Sequence, residues 1–144
     1  SYMHRNKYFH DYYISIGGGS TMDQLVKKFI SMKNNVANEF VKRHPLLGKV
    51  RAKVSDNKRF GLKFVNENDV TMGEYTVITS GNYITAYEKG ISNAFLSASM
   101  KVSLLEEMLE YENEFYTHPV KATAKVMKMY TKALAKGDAK IYRG

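Results

Sequence analysis

From Met22 onward, apolar residues recur at three- and four-residue steps: Leu25, Val26, Phe29, Ile30, Val36, Phe40 and Val41. That spacing places them on one face of a helix of about six turns. Thr21, with Gln24 three residues on, reads as its capping box, and His44-Pro45 marks its end. The period then changes to two. Val50, Ala52 and Val54 alternate with Lys49, Arg51 and Lys53, and Phe60, Leu62 and Phe64 alternate with Arg59, Gly61 and Lys63. A three-residue loop, Asp56-Asn57-Lys58, pairs Val54 with Phe60 and Val50 with Phe64, which predicts a first hairpin. A second follows in residues 74–89, turning at Gly81-Asn82 and setting Tyr75, Val77, Ile84 and Ala86 on one face. Residues 94–102 fit either period. A strand is the better reading, because Ser103 with Glu106 offers a fresh helix cap. A helix over Leu104–Phe115 and another from Pro119 to Lys136, stopped by Gly137, complete the pattern. The tail AKIYRG is either loose or a short edge strand.

Ahead of the long helix, residues 7–16 (KYFHDYYISI) are aromatic and β-branched and read as a strand. Between them stands Gly17-Gly18-Gly19-Ser20-Thr21, which reads in two ways. One is a natural strand-to-helix loop. The other is an engineered flexible joint, with Ser1-Tyr2 as the remnant of a tag. On the second reading residues 3–16 are a tethered partner peptide, with Tyr8, Phe9, Tyr12, Tyr13 and Ile14 adding as a strand to an open sheet edge. The organisation is therefore a strand-forming segment (1–16), a Gly-rich linker (17–21) and one domain (22–144). Its fold class is α+β: a long N-terminal amphipathic helix, an antiparallel sheet of about five strands built from two hairpins, and two C-terminal helices.

The chain has no cysteine, which removes disulfides, thiolate nucleophiles and Cys-based zinc sites. His4, His10, His44 and His118 stand at no metal-ligand spacing, and no phosphate-loop, dinucleotide or nucleophile-elbow motif is present. The expectation is a non-enzymatic protein with no cofactor and no metal. No apolar run of about 18 residues occurs, so no membrane partner is expected, and the lack of cysteine suits an intracellular setting.

Charge changes this picture. Lys42, Arg43, Lys49, Arg51, Lys53, Lys58, Arg59 and Lys63 are opposed within that window only by Asp56. Eight less one is seven, against a net charge of +8 for the whole chain. In the hairpin register above, Lys49, Arg51, Lys53, Arg59 and Lys63 share one face, with Arg51 opposite Lys63. Like charges facing across strands cost stability, so such a face is a candidate for a bound polyanion. The plainer alternative is a solvated edge kept soluble by lysines. Tyr83 and Tyr87 read either as stacking platforms for bases or as rings covered by a helix. In the C-terminal half, Lys121, Lys125, Lys128, Lys132 and Lys136 form a stripe that reads as the solvated back of a helix, whose inward front is Val120, Ala124, Met127, Tyr130 and Leu134.

The leading expectation is thus a domain binding RNA or single-stranded DNA through the phosphate backbone, with little sequence specificity. The alternative is an adaptor or assembly protein that captures an aromatic strand. Both leave room for a homo-oligomer.

Overall fold

The computed structural model describes residues 21–143; residues 1–20, including the tethered-peptide reading, lie outside them. Helix α1 (Thr21–Arg43) is followed at once by α2 (Pro45–Ser55). A meander of β1 (Arg59–Val65), β2 (Thr71–Ser80) and β3 (Tyr83–Lys89) comes next. Then come β4 (Leu96–Lys101), α3 (Val102–Leu109), a single turn α4 (Glu114–Thr117), α5 (Pro119–Lys136) and β5 (Ala139–Arg143). The chain is α+β. Its five strands stand in the order β3-β2-β1-β4-β5. β4 runs parallel to β1 and the other neighbours are antiparallel, so the sheet is mixed rather than purely antiparallel.

One face of the sheet carries the core. Leu62, Phe64, Tyr75, Val77, Ile84 and Met100 meet Val26, Phe29 and Ile30 of α1, Leu105 and Met108 of α3, and Ala122 and Val126 of α5. Two polar contacts fix α1 across this face. Near its start, the buried Tyr75 hydroxyl donates to Asp23 at 3.0 Å. Burial, and then the adjoining carboxylate, hold that phenol above its ordinary pKa. In its middle, fully buried Asn34 takes both backbone groups of Ile84 on β3: its Nδ2 donates to the carbonyl and its Oδ1 accepts from the N–H, each at 2.9 Å.

Residues of the opposite sheet face include Arg59, Gly61 and Thr76. The link from β3 to β4 crosses this face. Gly90 N–H donates to the Glu74 carbonyl, the Thr76 hydroxyl donates to the Gly90 carbonyl at 2.6 Å, and Phe95 N–H donates to the Arg59 carbonyl at 2.7 Å. This passage demands a glycine at 61. A Cβ there would stand 2.2 Å from Ser97 Oγ and 2.9 Å from Ile91 Cγ2. Gly61→Ala is therefore expected to destabilise the domain by about 1–3 kcal/mol, the usual effect of overpacking. Urea unfolding measures it, and an unchanged midpoint would show that the crossing link is not packed on β1.

Three local expectations fail for identifiable reasons. Residues 45–55 are helix, so the first hairpin does not exist; β1 pairs with β2, and Lys63 faces Glu74 rather than Arg51. In the second hairpin Thr79 pairs with Ile84 but Ile78 with Ala86, so a bulge turns Ala86 away and puts Tyr87 beside Val77. In α5 the buried residues are Ala122, Val126 and Ala133, whereas Val120, Met127 and Leu134 are exposed. The helix lies down on its small residues and leaves most of its expected inward front outside.

Candidate functional site

Helix α2 is attached to the body by everything except large apolar side chains. Proline at its first position presets the backbone angle of a helix start. Gly48 packs against Val41 of α1, where an added Cβ would come within 3.2 Å. The Gly48 carbonyl accepts from Asn82 Nδ2 at 2.8 Å, and Asp56 Oδ1 accepts from Gly81 N–H at 2.7 Å. The Thr79 hydroxyl donates to the Ser55 carbonyl. The Arg51 guanidinium lies 4.8 Å from the centre of the Phe40 ring, which also packs on His44.

The apolar residues consequently point outward. Leu46 is 78% exposed, Leu47 56%, Val50 59% and Val54 68%. At about 100° per residue these four fall within an arc of roughly 100°, with Gly48 and Ala52 on the far side. Lys49 and Lys53 border one edge of the arc and Arg51 the other. Lys42 and Arg43, exposed in the last turn of α1, stand just ahead in the chain. Between α2, Val41 and the Gly81–Tyr83 turn there is also an open cleft of about 310 Å³, lined mainly by apolar surface.

The eight cations of this window, five of which were expected to share one hairpin face, are distributed over α1, α2, the turn after it and β1. Lys42 and Arg43 end α1; Lys49, Arg51 and Lys53 belong to α2; Lys58 follows the turn, its ammonium 5.7 Å from the Phe95 ring centre. Arg59 and Lys63 lie on β1, where Arg59 is committed to Glu88 and to the Ser92 carbonyl, 3.1 Å away. The Arg59 hydrogen bond and charge hold the Glu88 carboxyl below the usual carboxylate range. Tyr83 and Tyr87 turn toward the helix layer: the Tyr83 hydroxyl lies 3.3 Å from Asn38 Oδ1 and the Tyr87 ring 6.2 Å from that of Tyr75. They are not a stacking platform. Among the described residues, no group of three or more His, Asp or Glu converges as a metal site.

No family model matches the chain, and no curated protein does. Among solved structures, one titled UbiJ-SCP2 ubiquinone synthesis protein is similar over 76% of this chain and 76% of its own, at 13% identity and a TM-score of 0.43. Another, sterol carrier protein 2 from Yarrowia lipolytica in its apo form, is similar over 79% of this chain and 85% of its own, at 11% identity and a TM-score of 0.39.

The nucleic-acid expectation is corrected by the fold itself. The basic ribbon it required is a helix followed by a strand, and its cations are divided between them. Strand capture is corrected as well. The chain's own β5 occupies the free side of β4, and at the other end of the sheet Asn34 fills both backbone groups of Ile84 beside the bulge. What the sequence reading missed is α2. Its signal was Leu46, Val50 and Val54 at four-residue steps after a proline, read instead as alternation.

Proposed function

We propose that this chain is a non-enzymatic domain that rests α2 in the headgroup region of an anionic lipid surface. The observation that carries this reading is the outward apolar arc of Leu46, Leu47, Val50 and Val54, bordered by cations on both sides. A large apolar surface without a partner marks an interaction site, and a helix with apolar residues on one side and Lys/Arg beside them suits the boundary between water and acyl chains. The association is peripheral: among the described residues no helix is long and apolar enough to cross a membrane. The cleft behind α2 stands at the low end of small-molecule pockets, which run from about 300 to 1,000 Å³. The exposed arc therefore supports the reading better than the cleft does.

Magnitudes divide the labour. Fully burying one such side chain contributes about 1.5–3 kcal/mol. Each cation close to an anionic leaflet contributes about 1 kcal/mol. Apolar insertion thus supplies the larger share, and charge selects the lipid. The protein is expected to pellet with phosphatidylcholine vesicles containing phosphatidylserine, and much less with phosphatidylcholine alone. Raising salt from about 0.01 M to about 1 M shortens the screening length from ~30 Å to ~3 Å, so retention should weaken without vanishing. Equal recovery in the supernatant with both vesicles would refute the proposal.

A further inference from the structure

Helix α2 joins the sheet at one end, and a second exposed apolar residue stands at that same end. The carbonyl of Ser55, the last residue of α2, accepts from the Thr79 hydroxyl, and that hydroxyl accepts from the Lys58 N–H at 2.9 Å. One residue on, the Arg59 carbonyl accepts from the Phe95 N–H. β1 and β4 are parallel neighbours, so Lys58 and Phe95, which precede them, share an end of the sheet. The Gly81-Asn82 turn is at this end too, and α2 rests on it through Gly48 and Ala52. The apolar arc of α2 is on the far side of that helix from Gly48 and Ala52, and so points away from the tip of the sheet. With strands about 4.8 Å apart, β4 is only roughly 10 Å from β2 across this end.

Phe95 is 62% exposed and lies outside the core. Its ring meets that of Phe60 edge-on, centres 6.1 Å apart, and the Lys58 ammonium stands 5.7 Å from its centre. In the strip made by residues 45–59, 79–83 and 95–96, Asp56 is the only acidic residue, and it already accepts from the Gly81 N–H. The other end of the sheet reads differently. There the β1–β2 turn also exposes an apolar residue, Val70 at 55%, but it follows Asp69 and Glu67. The cation nearest that turn, Lys101, is committed to Glu67 and Asp138. Exposure alone therefore does not distinguish the two ends; charge does.

We propose that Phe95 and Lys58 make a second contact with the anionic lipid surface, so that the domain docks by this end of its sheet and not by α2 alone. This second contact presupposes the seating of α2 described above. An aromatic ring with an ammonium beside it suits the boundary between acyl chains and phosphates. Because α2 and Phe95 are carried on one sheet end, the first contact to form raises the effective concentration of the other. Two contacts also fix the tilt of the body, which a lone helix leaves free to roll.

The test uses the full chain and phosphatidylcholine vesicles with and without phosphatidylserine. Phe95→Trp keeps a ring in place and, in a chain without tryptophan, gives a single reporter. Its emission should shift to the blue with phosphatidylserine vesicles, and lipid brominated on its acyl chains should quench it. Val70→Trp, at the opposite end, should neither shift nor be quenched. Phe95→Glu should weaken partition at least about tenfold, and Lys58→Glu at least about fivefold. If Leu47→Trp shifts while Phe95→Trp does not, α2 binds alone: the second contact is refuted and the seating of α2 stands. If neither shifts, the seating of α2 falls and the second contact with it. Equal shifts of Phe95→Trp and Val70→Trp, or parental binding by Phe95→Glu, also refute the second contact.

Discussion

Replacing Asn34 by alanine is expected to lower the unfolding free energy by about 3 kcal/mol, a large part of the ~5–15 kcal/mol that holds a typical domain folded. Asn34 is wholly buried and spends its amide on Ile84 alone, donating to its carbonyl and accepting from its N–H. Ile84 is itself only 6% exposed. Alanine would leave a buried N–H and a buried carbonyl without partners, and each such orphan costs about 1–3 kcal/mol. A small void adds to that. Asn34→Asp is an informative companion: it keeps the acceptor for the N–H but points a carboxylate at the Ile84 carbonyl, so it should be no better than alanine. Urea unfolding followed by circular dichroism measures both. A loss under ~1 kcal/mol for alanine would mean that the bridge between α1 and β3 is dispensable.

Leu46→Glu combined with Val50→Glu is expected to abolish retention on phosphatidylserine-containing vesicles while leaving the fold intact. Both side chains are mostly exposed and lie outside the core, so stability should stay within about 0.5 kcal/mol of the parent. Binding should change far more. Two apolar anchors are lost, and two carboxylates are set against an anionic leaflet, together worth at least about a thousandfold in partition. The chain has no tryptophan, so Leu47→Trp gives a single reporter within the arc. Its emission should shift to the blue with vesicles and stay unshifted when the two glutamates are present. A double variant that pellets like the parent would remove α2 from the interaction.

How far the sequence was readable depends on what each segment has to satisfy. Helix α1 was plain because Val26, Phe29 and Ile30 bury one face of a long element, and no other period fits them. Helix α2 was not. In Lys49–Val54 apolar and basic residues alternate, and the same residues also satisfy four-residue steps from Leu46. Few large side chains here are buried, so no core contact resolves the ambiguity locally. Helix α5 misled for the opposite reason. Its body-facing residues are largely alanine, which a polarity pattern reads as neutral, and Met127 and Leu134 looked like the inward face. The parallel pairing of β4 with β1 depends on where the Gly90–Phe95 link travels, which no local pattern encodes. The charges were counted correctly but wrongly arranged, because a helix sends Arg51 away from Lys49 and Lys53 where a strand would align all three.

The path of that link also imposes an order of assembly. Gly90, Ser92 and Phe95 are held by groups on β1 and β2, so their resting place exists only once those two strands have met. The meander joins neighbours in sequence and can form early, whereas β4 must reach back to Phe60–Val65 from far along the chain. The meander is thus expected to form first and β4, with α3 and α5 behind it, to dock afterwards.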